Sequence, residues 1–245
     1  MTSLQTLIEK LAYLREHEDF SILYKRKTPL RKDEQVLHGG YFLKDSQGRW
    51  VVFNKALANE HLMWTWQHQY QVGPCLTETQ IGDFEQQYHI TLPDDYRRFL
   101  LEVGHGGAGP VYGLYTLEKG MIYASEEDEA PPDILQRSFP FTEHACKYDR
   151  TLSAEENLKI TAPVYGGFLP LAYGGCSDHF VLILNGPERG NIWMESYGSD
   201  GGIWPVLYEH EGIAGDSRHI GFYDWYNLWL DRQIADLHER IMAMG

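Results

Sequence analysis

The sequence predicts an α+β fold, an antiparallel or mixed sheet with helices packed on it. Three observations carry the prediction. Apolar stripes at helical period dominate the segments before residue 104, and four short apolar or alternating runs between 168 and 208 are parted by glycine-rich turns. An aromatic stripe at helical period then closes the chain.

Taken in order, Leu4, Leu7, Ile8, Leu11 and Leu14 predict a first amphipathic helix over residues 4–16. Lys25, Arg26, Lys27, Arg31 and Lys32 follow as one basic patch on an acidic chain. Gln35 to Leu43 and Arg49 to Asn54 read as two strands, joined by the turn Asp45-Ser46-Gln47-Gly48. Ala56 to Tyr70 reads as an aromatic-rich helix, and Gly73-Pro74 marks a boundary. Residues 1–75 are thus expected to form an N-terminal α/β extension, helix–hairpin–helix, ahead of a main domain over 76–245.

The main domain opens with Thr77-Glu78-Thr79-Gln80. This spacing lets the threonine hydroxyl accept from the third helical N–H while the glutamine reaches back, a capping box. Ile81, Phe84 and Tyr88 give the helix its apolar face. Pro93 is expected at the first position of the next helix, where its missing N–H costs nothing. Asp94 and Asp95 complement the helix dipole, and Tyr96, Phe99, Leu100 and Val103 supply the buried side. Gly104 is expected to end that helix in the left-handed conformation.

After an acidic loop, Phe168 to Tyr173, His179 to Leu184, Asn191 to Ser196 and Ile203 to Tyr208 read as strands of an antiparallel meander. The closing helix runs from about Gly221 to Met242, with the stripe Phe222, Trp225, Trp229, Leu230, Ile234, Leu237 and Ile241.

With 43% hydrophobic and 13% aromatic residues over 245 positions, the composition is that of a globular protein with a real core. A formal charge of −14 repels nucleic acid and suits basic partners, although solubility alone also explains it. Cys75, Cys146 and Cys176 are far apart and form no CxxC pair. They indicate neither a zinc site nor a disulfide framework, and they suit a reducing cytoplasm. The first twenty residues contain acidic side chains and no long apolar core, so no secretory signal is expected. No run approaches the roughly 18 apolar residues of a membrane span.

The chemistry-bearing patterns are thin. Gly104-His105-Gly106-Gly107-Ala108-Gly109 matches GxGxxG, but a dinucleotide site needs a strand before it and a helix after it. Here a helix precedes and Pro110 follows, so Gly104, Gly106, Gly107 and Gly109 read as a structural loop passing close to other backbone. His61 and His68 could share a helix face, yet no HExxH pattern accompanies them, and no metal or other cofactor is expected. Ser177, Asp178 and His179 look like a triad on paper. They lack a GxSxG elbow, and neighbours on a strand point to opposite faces, so no catalytic residues are assigned. The run Glu126, Glu127, Asp128, Glu129 and Asp133 is either a solvated loop or a surface that steers a basic partner. Asp178, Glu195 and Asp200 belong to the same class of partner-binding candidates. Trp64, Trp66, Tyr70, Trp193 and Trp204 are types enriched at interface hot spots, and equally suited to the core.

Several motifs occur in order over roughly Leu76 to Leu230. They are Ile81-x-x-Phe84 with Tyr88, Leu92-Pro93-x-Asp95-Tyr96, and Gly106-Gly107-Ala108-Gly109-Pro110 with Tyr112-Gly113-Leu114. Phe168-Leu169-Pro170-Leu171-Ala172 with Gly174-Gly175-Cys176, Leu184-Asn185-Gly186-Pro187-Glu188-Arg189-Gly190, and Asp224-Trp225-Tyr226-x-x-Trp229-Leu230 follow. The ordered set resembles the SMI1/KNR4 family, the core of the SUKH superfamily. The resemblance implies a SUKH-like α+β fold without known catalytic residues. It also implies a bacterial immunity protein that binds and neutralises a protein toxin domain, such as a nuclease encoded nearby, by stoichiometric complex formation. A fungal-type scaffold in cell-wall synthesis or signalling is the alternative, and a hydrolase using Asp178 and His179 is a third reading. No nucleic-acid or membrane partner is expected.

Overall fold

The structure, a computed structural model, describes residues 4–18, 40–44, 50–54, 65, 68–124, 133–146, 149, 151–161, 166–196 and 201–244. The basic patch, the turn at 45–48, most of the helix expected over 56–70 (Trp64 and Trp66 included), the acidic run 126–129 and Asp200 lie outside the described residues.

Helix α1 (Leu4–His17) buries Leu4, Leu7, Leu11 and Leu14, the stripe its spacing implies. Strands β1 (Gly40–Lys44) and β2 (Trp50–Asn54) pair antiparallel, Lys44 opposite Trp50 and Gly40 opposite Asn54. Helix α2 (Glu78–Tyr88) carries the expected capping box: Thr77 Oγ1 accepts from Gln80 N–H at 3.2 Å, and Gln80 Oε1 accepts from Thr77 N–H at 2.9 Å. It ends at His89, whose φ of 50° is left-handed.

Helix α3 (Asp94–Glu102) buries Tyr96, Phe99 and Leu100. Two details of its ends differ from expectation. Pro93 is the N-cap, with extended ψ of 139°, rather than the first helical residue. Gly104 does not take the left-handed turn. Its N–H still bonds Phe99 O at 3.1 Å, and positive φ comes later, at Gly106 (75°) and Gly107 (92°). The loop needs those angles to double back, which only glycine does without strain.

Two short helices were not anticipated: α4 (Leu117–Ala124) and α5 (Ala154–Thr161), with a 3-10 turn at Ile134–Gln136 between them. The long closing helix α6 (Phe222–Met244) packs on α1 and α3. Its stripe is buried from Phe222 to Leu237, Ile234 only partly, and gains Tyr226, but Ile241 is 46% exposed, because the helix runs past the core.

Strands β3 (Phe168–Gly175), β4 (Asp178–Ile183), β5 (Ile192–Ser196) and β6 (Gly202–Pro205) form an antiparallel meander in sequence order. Single bridges prolong it at both edges. Leu114 pairs with Ala172, Gly107 with Leu114 and Val72 with Gly107 on one side, and Ala145 pairs with Ile203 on the other.

The sheet is covered on both faces. Leu169, Leu171, Ala172, Leu182 and Ile192 meet Phe99, Trp225, Tyr226, Leu230 and the leucines of α1 in the larger core. Val181, Ile183, Trp193, Phe168 and Ile203 point the other way, into a smaller core closed by Phe139 with Phe141 and Ala145. Burial on both sides explains the nearly continuous apolar runs of β3 and β4. Among the described residues, no helix is long and apolar enough to cross a membrane.

Candidate functional site

The carboxylates read from the sequence fall into three places. Asp133 starts the 3-10 turn and forms an exposed pair with Arg137, 3.3 Å apart. Main-chain bonds from Gly167 N–H to Ile134 O and from Phe139 N–H to Asn185 O put it where β3 begins and β4 ends. Asp178 and Glu195 lie at the opposite end of the meander, on opposite faces. Asp178 Oδ1 accepts from Ser196 Oγ at 2.6 Å. Glu195 faces His179 across the β4–β5 pair, Nδ1 to Oε2 3.3 Å, with both side chains mostly covered at 15% and 12% exposed. The triad arrangement is therefore not assembled: Asp178 and His179 each look to a residue on β5, away from one another.

Aromatic rings extend this end of the sheet. Tyr173 lies opposite His179 with ring centroids 5.5 Å apart, and Tyr112 packs on Tyr173 at 5.2 Å. The β3–β4 connection is a two-residue turn in which Cys176 (φ 51°) and Ser177 (φ 71°) both adopt left-handed angles. Such hairpins usually place Asn or Gly there. Ser177 N–H donates to Tyr173 Oη at 3.1 Å, which holds the turn. Val111 is a second outlier, with φ of 53° in a turn closed by Gly113 N–H to Pro110 O at 3.0 Å. A β-branched residue is rarely found there.

The glycine loop between α3 and α4 is threaded through other backbone. A Cβ on Gly73 would sit 2.3 Å from His105 O, one on Gly107 2.4 Å from Gln71 O, and one on Gly113 2.3 Å from Gly107 O. Gly104 and Gly109 would meet Gly73 O and Leu114 N at 2.7 and 2.8 Å, and Gly106 crowds Thr116 at 3.0 Å. The loop amides are spent internally: Gly107 N–H on Leu114 O, Ala108 N–H on Gln71 O. With a helix before it and a hairpin after it, the GxGxxG match cradles backbone, not phosphate.

Polar side chains tie this loop and the neighbouring motifs to the core. Tyr226 Oη donates to Ala108 O at 2.9 Å, and Tyr70 Oη to Gln233 at 3.1 Å. His68 is buried against Tyr70 and Trp229, and burial pushes its pKa down to about 4. Its Nδ1 accepts from Tyr70 N–H at 3.0 Å and its Nε2 faces Gly109 O at 3.1 Å, so the neutral ring carries its proton on Nε2. Asp95, from the Leu-Pro-x-Asp-Tyr motif, accepts from Tyr96 N–H at 2.8 Å and from Tyr223 N–H at 3.1 Å, joining α3 to the first turn of α6. Burial raises the pKa of this carboxyl and those two N–H bonds partly offset the rise. Tyr208 donates to Asp224 beside it, and burial followed by that carboxylate lifts the phenol to about 12. Glu188, in the Asn-Gly-Pro-Glu-Arg-Gly loop, gathers Asn191 Nδ2 at 2.9 Å, Trp193 Nε1 at 3.4 Å and His219 Nδ1 at 2.5 Å. Arg189 donates to the carbonyls of Thr91 and Leu92. None of these roles was read from the sequence. Asp95, Glu188, Arg189, Asp224 and Tyr226 sit inside the ordered motifs, whereas His68, Tyr70 and Tyr208 lie outside them.

No group of three or more His, Cys, Asp or Glu side chains suited to a metal ion occurs among the described residues. Cys75, Cys146 and Cys176 form no disulfide.

The meander, the helices on its face and the glycine loop that extends its edge define an α+β domain whose ordered motifs serve architecture. The chain belongs to the SMI1 / KNR4 family (SUKH-1), whose sequence pattern matches residues 75–212. That family includes immunity proteins. No curated protein matches the chain. No solved structure matches it either. Helix α1 lies outside the matched span, yet its leucines belong to the same core.

Proposed function

We propose that the chain is a non-catalytic protein-binding module of the cytoplasm, an immunity protein that neutralises a cognate toxin domain by forming a stoichiometric complex with it. Membership of the SMI1 / KNR4 family is the observation that carries this reading. The structural roles of the family-like motifs support it. Asp95, the loop glycines and Glu188 are engaged with main chain or buried partners, which leaves the surface between them for recognition.

A charge of −14 favours a basic partner, as a nuclease surface built to hold phosphates would be. Glu126, Glu127, Asp128 and Glu129 are proposed to steer that encounter, with Asp133, Asp178 and Asp200. Asp133, 56% exposed, suits the role. Glu195 is the weakest of the set for direct contact, since His179 and the sheet cover most of it. A stable complex of this kind covers about 800 Å² on each partner, with a few aromatic side chains supplying most of the hold.

Affinity capture of the tagged chain from the cells that make it, read by mass spectrometry, tests the proposal. A single stoichiometric partner bearing a toxin domain is the expected result. Recovery of only cell-wall or signalling components would favour the scaffold reading.

A further inference from the structure

We propose that the glycine loop between α3 and α4 is held by an acid-labile clamp, in which His68 and His105 each accept a main-chain N–H through a ring nitrogen that must be unprotonated. This inference is independent of what the protein binds.

The two histidines grip the loop from its two sides. His68 Nδ1 accepts from Tyr70 N–H at 3.0 Å while Nε2–H donates to Gly109 O at 3.1 Å, so one ring spans from the segment before α2 to the middle of the loop. His105, inside the loop, accepts with Nε2 from Leu117 N–H at 2.8 Å. Leu117 is the first residue of α4, so the imidazole satisfies a helix-terminal donor that has no partner within its own helix. Both acceptor nitrogens are lone pairs facing an N–H. A proton on either sets donor against donor and leaves a main-chain N–H unsatisfied.

The surroundings fix what each proton meets. Around His68 the described neighbours include Tyr70 and Trp229, and a Cβ built on Gly113 would come within 3.2 Å of the ring. Tyr70 Oη donates to Gln233 of α6, and Arg15 of α1 donates to Tyr70 O at 3.2 Å. His105 differs. Glu118 Oε2, 76% exposed, lies 3.7 Å from its Nε2, and the neighbouring Lys119 is drawn over the Tyr115 ring. Protonated His105 can exchange the Leu117 amide for the Glu118 carboxylate, whereas among the described residues no such carboxylate is placed at His68 Nδ1. Burial lowers both pKa values, and Glu118 partly restores that of His105. As pH falls, the α4 side is released first and the His68 side second. Tyr112, which packs on Tyr173 at the sheet end, moves with the loop.

Residue-resolved amide hydrogen exchange, corrected for intrinsic rates between about pH 7.5 and about pH 4.5, tests the clamp. Protection at Leu117 is expected to fall first, then at Tyr70, Ala108 and Leu114, by up to about tenfold per pH unit for each proton taken up. Val181 and Leu182 in β4 are expected to keep their protection over the same range. His105→Gln places a non-titrating acceptor near Nε2 and should flatten the pH response at Leu117 while leaving that at Tyr70. His68→Asn should do the reverse. If either variant fails to fold, ring titration in the wild-type chain by NMR decides, with both midpoints expected below 6.5 and His105 the higher. Flat protection at Leu117 and Tyr70, simultaneous loss across β4, or a ring titrating at or above 6.5 would each overturn the proposal.

Discussion

Asp95 shows how a single side chain can carry a motif's meaning. Its carboxylate accepts two main-chain N–H groups from two different helices, and hydrogen bonds to a charged acceptor are worth about 1.5–3 kcal/mol each way they are lost. Asp95→Ala is therefore expected to lower the unfolding free energy by about 2–3 kcal/mol in urea titration, and an effect within 0.5 kcal/mol would contradict the assigned role. The pKa sign runs opposite to that of the histidines. A carboxyl with a raised folded pKa binds its proton more tightly in the folded state, so its contribution to stability falls as pH rises from 3.8 through that raised value.

Gly107 is the second single-residue case. Both its φ of 92° and the 2.4 Å approach to Gln71 O exclude a side chain. Gly107→Ala is expected to cost at least about 1–3 kcal/mol, measured as a lowered denaturation midpoint. The sequence made the loop's close approach legible through its clustered glycines. It did not reveal which glycine turns left-handed, because that depends on where the Val72 segment crosses.

At the scale of elements, the stripes at period 3.6 located α1, α2, α3 and α6, and the glycine-bounded apolar runs located all four strands of the meander. Caps were as informative. Thr77→Ala is expected to lower stability by about 1 kcal/mol with an unchanged denaturant slope, since it removes one acceptor from an exposed helix start. Helix α5 was missed although its signal was present: Ser153 and Glu156 exchange hydrogen bonds at 2.9 and 3.3 Å in the S-x-x-E spacing of a capping box. Helix α4 left a fainter trace. Its first amide is satisfied by His105 across a loop, a contact no local pattern encodes. The over-extension of the α6 stripe to Ile241 has the same origin, since periodicity tells which face is apolar and not where the core ends. For the candidate site, alternation along β4 separated Asp178 from His179 as expected, but the cross-strand partners Ser196 and Glu195 depend on register.

At the scale of the whole molecule, two consequences follow from charge. His68 has a folded pKa of about 4 against an ordinary 6.5, so its neutral form's stability is fully present above pH 6.5 and lost as pH falls toward 4. The expected slope is up to about 1.4 kcal/mol per pH unit from this group, read by urea unfolding at a series of pH values, and His68→Asn should remove it. The net charge of −14 concerns the partner. Raising salt should slow association with a basic toxin much more than it speeds dissociation, and an unchanged association rate would count against steering.

The most direct measurement of the central claim takes the partner captured with the tagged chain and expresses it in cells with and without the chain. Growth arrest by the partner alone, growth restored by co-expression, and a one-to-one complex on size-exclusion chromatography are expected. A captured partner that is harmless alone, or that stays toxic while bound one-to-one, would contradict neutralisation by stoichiometric binding.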